Sequence, residues 1–119
     1  MDTQGRRVKV VAREELLHIL QTSPLTVVDF WAPWCLPCHT VDLRLQRLQE
    51  AGMDFTVVKV NVEQAPTLAR TYGVQSVPTL LRFVDQELTG RLDHLPTPEE
   101  LRNWISGGGK NLGSATADR

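Results

Sequence analysis

The chain has 119 residues, with 13 Lys and Arg against 14 Asp and Glu for a formal net charge of −1. That length makes one domain with room for a core, and the near balance of charge gives no electrostatic case for nucleic acid or an anionic membrane surface as partner. No apolar run is long enough to span a bilayer, and no signal-peptide segment follows Arg6 and Arg7, so the expected compartment is the cytoplasm.

In chain order, strand and helix patterns alternate. Residues 8–11 read as a short first strand, placed at a sheet edge by its small size and basic neighbours. Residues 13–21 follow as a helix with Leu16, Leu17, Ile19 and Leu20 on or near one face, ended by Ser23-Pro24. Residues 26–31 are apolar apart from Asp29, as expected of a strand covered on both faces. A long helix over 35–51 carries Val41, Leu45 and Leu48 near helical spacing and stops at Gly52. Residues 55–62, with Val57, Val58, Val60 and Val62, form a second central strand. Residues 64–72 fit a short helix with Pro66 in its first turn and Gly73 behind it. Residues 77–84 read as a strand entered through Pro78. Asp85-Gln86 is then the turn and 87–92 the antiparallel return, although Asp-Gln is a weaker hairpin turn than Asn-Gly. Thr97, Pro98 and Glu100 supply the N-cap, first-turn proline and capping-box glutamate of a last helix, whose apolar face is Leu101, Trp104 and Ile105. The domain is therefore expected over 1–106, with 107–119 a flexible Gly-rich tail.

The only two cysteines, Cys35 and Cys38, fall where a strand ends and a helix begins. Residues three apart at a helix start are neighbours, so the two sulfurs can meet in one short disulfide. The same place carries unpaired N–H groups and positive dipole, which favour a thiolate over a thiol. In a reducing compartment a lone pair of this kind is catalytic or metal-binding rather than a staple. Cys38, one turn inside the helix, is expected to be the more buried of the two. Asp29 is the most informative charge, because a carboxylate inside an apolar strand costs on the order of several kcal/mol unless it is paired or protonated. Burial raises its pKa and makes it a base candidate for Cys38; the bland alternative is a buried structural ion pair. His39 completes a C-x-x-C-H pattern of the haem-attachment kind, with Met53 or His94 as a second axial ligand. The preceding strand, the intervening proline and the absent signal peptide oppose that reading. Zinc is opposed because neither His18 nor His94 is placed to complete a tetrahedron with Cys35, Cys38 and His39.

The β-α-β-α-β order, closing hairpin and last helix argue for an α/β fold with a mixed sheet and helices on both faces. Within it, Val28-Asp29-Phe30-Trp31-Ala32-Pro33-Trp34-Cys35, Pro37-Cys38, Lys59-Val60-Asn61-Val62 and Tyr72-Gly73-Val74-Gln75-Ser76-Val77-Pro78-Thr79 resemble the thioredoxin family, over about 8–105. The resemblance implies a thiol–disulfide oxidoreductase that acts as a protein disulfide reductant. Its only redox group would be the Cys35-Cys38 disulfide, with no other cofactor and no metal. It also implies a monomer, with disulfide-containing proteins as substrates and thioredoxin reductase as electron donor. Cys35 would attack and Cys38 resolve the mixed disulfide, while Pro37 stiffens the pair and biases it towards reduction. A thiol pKa of about 7 and a potential of about −270 mV belong to the family rather than being deduced from this chain.

Lys59 is the implied partner of Asp29. Pro78 is implied to be cis and to face the disulfide, turning the Val77 backbone outward to hold a substrate strand by β-augmentation. Trp34 would form part of a flat docking surface, with Trp31 packed partly beneath it and Trp104 in the core. Four positions depart from the family pattern. Leu36 and Ser76 stand in place of glycines, Leu43 in place of a kinking proline, so that the helix is expected to run straighter, and His94 in place of a small residue lining the docking surface. These departures bear on which reductase and substrates fit. They also keep open a rival reading, a thioredoxin-fold binding module specialised for one partner, with redox turnover secondary.

Overall fold

A computed structural model describes residues 6–107; the tail expected beyond Gly107 lies outside the described residues. In order, the elements are β1 (Arg7–Lys9), α1 (Arg13–Thr22), β2 (Leu25–Trp31), α2 (Leu36–Glu50), β3 (Thr56–Asn61), α3 (Pro66–Thr71), β4 (Thr79–Val84), β5 (Glu87–Leu92) and α4 (Pro98–Ile105). The strands form one mixed sheet in the order β1-β3-β2-β4-β5. β1, β3 and β2 run parallel, and β4 and β5 add antiparallel neighbours. The short first strand sits at an edge, as its size and charge suggested.

Side-chain alternation in the two central strands decides the layers. Val28 and Phe30 of β2, with Val58 and Val60 of β3 and Leu81 and Phe83 of β4, are buried against Leu16 and Leu20 of α1 and Leu68 and Ala69 of α3. Val27, Val57 and Leu80 point the other way, into a second core with Val41 and Leu45 of α2 and Leu101, Trp104 and Ile105 of α4. Helices thus cover both faces, and the polar side chains of β3, Thr56, Lys59 and Asn61, fall at its partly exposed positions.

Local chemistry fixes the ends. Glu15, three residues into α1, accepts hydrogen bonds from the backbone N–H groups of Val11 and Ala12 at 2.9 and 3.0 Å, so its carboxylate reaches back to fix the entry into a helix whose N-cap alanine has no side-chain acceptor. Thr97 and Glu100 exchange the two bonds of a capping box, with Glu100 N–H donating to Thr97 Oγ1 at 3.0 Å. α2 remains helical through Leu43 without interruption. The Asp85-Gln86 turn is built with φ of 49° and 75°. Two left-handed residues match the twist of the flanking strands, and this outweighs the poor local preference of glutamine for that region. In β5, a Cβ on Gly90 would lie 3.0 Å from Trp104 Nε1, so the absent side chain lets α4 pack closely on the sheet edge.

Candidate active site

β2 delivers Trp31 and Ala32 to the end of the sheet, and the chain then turns into α2. Cys35 is the N-cap of that helix, with extended φ and ψ of −93° and 103°. Its Sγ accepts a hydrogen bond from the Cys38 backbone N–H at 3.2 Å and is joined to Cys38 Sγ in a disulfide. An N-cap sulfur with this bond occupies the position where serine or aspartate oxygens normally sit, and the helix dipole there favours negative charge. Pro37 lies in the first turn, where its missing N–H leaves nothing unpaired. Cys35 and Cys38 are 4% and 2% exposed, so in the disulfide state the expected difference in burial is almost absent. The pair packs with Ala32 against Trp31, Val62 and Val77.

Two apolar side chains frame the sulfurs in solvent. Trp34 is 68% exposed and Leu36 78% exposed. The Trp34 indole is held by Nε1–H donation to Glu63 Oε2 at 2.6 Å, and the Glu63 N–H in turn donates to Asn61 Oδ1 at 2.9 Å. The Val77-Pro78 bond is cis, Val77 joins the disulfide cluster, and Pro78 is buried. Thr79 Oγ1 ties this turn by donating to Ser76 O at 2.7 Å. Arg91 reaches across from β5 to the carbonyls of Tyr72 and Gly73, each at 2.8 Å, and so braces the loop that leads into the proline.

Asp29 lies on the α2-covered face of the sheet, wholly buried. Neither carboxyl oxygen has a hydrogen-bond partner among the described residues. Loss of hydration pushes its pKa up from 3.8 to about 7; the charges of Lys59 and Arg7 act against that rise, and that of Asp42 adds to it. The resemblance implied Lys59 as the partner of Asp29; its charge does act on Asp29, but its hydrogen bond goes elsewhere. The two residues are register neighbours, but Lys59 Nζ donates to Asp42 Oδ1 at 2.8 Å. Arg7 donates to the same oxygen. The physical reason is exposure: the Asp42 side chain is 29% accessible, so it ionises at far smaller desolvation cost than Asp29 does. Burial raises the Asp42 pKa, but the hydrogen bonds and charges of Lys59 and Arg7 outweigh that and hold it below the usual carboxylate range.

The remaining candidates separate from the sulfurs. His39 is exposed, its Nε2 lies 3.1 Å from Pro33 O, and its ring packs edge-on near Trp31. Cysteines joined to each other and a histidine turned to a backbone carbonyl do not make a haem attachment site. Among the described residues no cluster of His, Cys, Asp or Glu is arranged to hold a metal. His94 is exposed and sits 2.8 Å from Glu100 Oε2, a carboxylate that this contact pulls below its usual range. Sequence reasoning passed over Asp42, Arg7, Glu63 and Arg91. Asp42 left a signal, since it stands one turn beyond Cys38 and flanks the buried stripe of Val41 and Leu45. Glu63 and Arg91 act across long sequence gaps and left none.

The thioredoxin family profile matches residues 7–107. Thioredoxin 1 of Synechococcus elongatus is 43% identical over 69 residues, which span 57% of this chain and 64% of that protein, just under two thirds of its length. The thioredoxin of Chlamydia caviae is 35% identical over 99 residues, 83% of this chain and 96% of that one. A mutant thioredoxin from Halobacterium salinarum has the same fold at a TM-score of 0.82 and 27% identity, covering 95% of this chain and 99% of its own. With a mixed sheet flanked by helices, a Cys-X-X-Cys disulfide capping α2 and a cis Val77-Pro78 bond whose valine packs beside it, this chain belongs to the thioredoxin family.

Proposed function

We propose that the chain is a protein disulfide reductant working through the Cys35/Cys38 dithiol–disulfide couple. Its substrates are disulfide-containing proteins and its electron donor is a thioredoxin reductase. It acts as a monomer in the cytoplasm, where such a pair is kept reduced. The observation that carries this reading is the capping role of Cys35: its sulfur receives the Cys38 N–H and lies within bonding reach of Cys38 Sγ.

In the reduced protein, Cys35 as thiolate attacks one sulfur of a substrate disulfide. A mixed disulfide forms and the other substrate sulfur leaves as a thiolate. Cys38 then loses its proton to Asp29 and attacks Cys35 Sγ. The Cys35–Cys38 bond forms, the second substrate thiolate departs and is protonated, and two electrons have passed to the substrate. Asp29 suits this task because burial poises it near neutrality and because it shares the face covered by α2, whose first turn bears Cys38. The charge of Lys59 keeps the carboxylate form of Asp29 accessible. The Val77 backbone ahead of Pro78 is the strand to which an extended substrate segment pairs, and Trp34 and Leu36 supply apolar contact beside it. Pro37 keeps the intervening turn rigid, and His94 borders the docking surface.

Single-turnover reduction of a protein disulfide such as insulin tests the reading. Cys35→Ser abolishes turnover, and Cys38→Ser stops at a stoichiometric mixed disulfide. If the reduced wild-type chain turned over no disulfide, while Cys35→Ser still bound a partner with undiminished affinity, the chain would instead be a binding module on a thioredoxin fold.

A further inference from the structure

Asp29 and Lys59 are opposite charges in register on one face of the sheet, yet the lysine is taken by a third residue. Lys59 Nζ lies 2.8 Å from Asp42 Oδ1 and 4.7 Å from the centre of the Trp31 ring, so the ammonium group is held between these two side chains without a hydrogen bond to Asp29. Arg7, from β1 at the sheet edge, donates to the same Asp42 oxygen. We propose that Asp42 is a positioning residue for the resolving half-reaction: by holding Lys59 against α2 it withholds the ammonium group from Asp29 and leaves that carboxyl free to take up and release a proton. The inference rests on Asp29 being the base for Cys38.

The argument is a competition between two carboxylates for one lysine. A carboxylate hydrogen-bonded by Lys59 is favoured in its ionised form, as Asp42 is by Lys59 and Arg7. Asp29 in that condition would be too weak a base to draw a proton from a thiol. With no cation near at all, a wholly buried Asp29 would stay protonated and would also be no base. The arrangement lies between these extremes. Arg7 and Lys59 against Asp42 leave one positive charge close to Asp29 without a hydrogen bond to it.

The charges that act on Asp29 are those of Lys59, Asp42 and Arg7. β3 presents Lys59 to this face, β1 presents Arg7 and the exposed Lys9 in register with Lys59, and α2 presents Asp42 and the Cys38 sulfur. α4 offers Leu101, Trp104 and Ile105. β4 contributes Leu80 and Arg82, and Arg82 is turned to Ile105 O at 3.1 Å and Thr89 Oγ1 at 2.6 Å.

The test is to follow the Asp29 carboxyl carbon by NMR through a pH titration and, in parallel, to measure the rate of mixed-disulfide resolution against pH. Asp42→Ala is expected to move the Asp29 midpoint down by about one pH unit as Lys59 swings to it, and the midpoint of the resolving rate moves with it. Asp42→Asn, which keeps the shape and one acceptor, gives a smaller shift in the same direction. In the Lys59→Met background the Asp42→Ala shift shrinks to the part owed to loss of Asp42's own negative charge. An unmoved Asp29 midpoint in Asp42→Ala overturns the proposal. So does a shift that persists undiminished without Lys59, since that would report only the loss of a repelling anion. A third outcome, the carboxyl shifting as expected while the resolving rate ignores it, removes Asp29 as the base and the catalytic part of this proposal with it. The two readouts therefore separate failure of the charge relation from failure of the base assignment.

Discussion

Three consecutive residues of β2, Val28, Asp29 and Phe30, face opposite sides of the same sheet, and the two sides are built on different terms. On the α1/α3 side, Val28 and Phe30 lie in a core with Leu16, Leu20, Val58, Val60, Leu81 and Phe83 and, among the described residues, no buried ionisable group. On the α2/α4 side the lower half is equally apolar, with Val27, Val57, Leu80 and Leu101. Beneath the first turns of α2, however, the side chains are Asp29, Lys59, Arg7 and Asp42. One residue step along the strand separates a position chosen for packing from one that burdens the fold. Alternation allows this, because a strand can hold its place through one face while the other bears a destabilising group.

The comparison can be broken from the apolar side first. Phe30→Ala removes a fully buried aromatic ring from the α1/α3 core and should cost about 3–5 kcal/mol of stability, read from denaturant unfolding of the oxidised protein. A cost of under about 1 kcal/mol would mean that this side is loosely packed and that the contrast is false. On the opposite side the sign reverses. Well below pH 3.8 Asp29 is neutral both folded and unfolded. Between 3.8 and about 7 only the unfolded chain ionises it, so stability falls as pH rises through that window and levels off above it. The gap corresponds to about 4 kcal/mol as an upper bound. Asp29→Asn should therefore stabilise the protein at pH 8 by up to that amount, less the cost of the amide's own buried donors, and change little at pH 3.5. A pH-independent difference would sink the assignment of strain to this carboxyl.

What could be read from the sequence divides along the same line. The apolar strands, the helices on both faces and the cap at Thr97 follow from patterns a few residues long, and the resemblance supplied the cis Val77-Pro78 bond. Asp29 stood out because a charge in an apolar strand breaks a local rule. Its relation to Lys59 could not be read in the same way. Which carboxylate captures the lysine depends on the difference in exposure between Asp29 and Asp42, a property of how α2 lies on the sheet. The Asp85-Gln86 turn was a poor local match that the strand pairing imposed. Arg91, bracing Tyr72 and Gly73 from β5, joins segments far apart in sequence and left no trace in either.

Leu36 belongs to neither side; it stands at the rim where α2 begins, and its effect should be the smallest and the most selective. At 78% exposure it contributes little to folding, so Leu36→Ala should leave stability within about 0.5 kcal/mol. Alanine keeps the helix start and the spacing of the sulfurs. If a docking substrate covers half of the leucine, the lost apolar contact amounts to about 1 kcal/mol, which is about a five-fold rise in KM with kcat unchanged. The rise should appear with protein substrates and vanish with a small disulfide that cannot reach the side chain. A fall in kcat at constant KM would place Leu36 in the chemistry of Cys35 instead. The rim would then join the charged face in acting on the sulfurs, and recognition and reaction would no longer fall to separate residues.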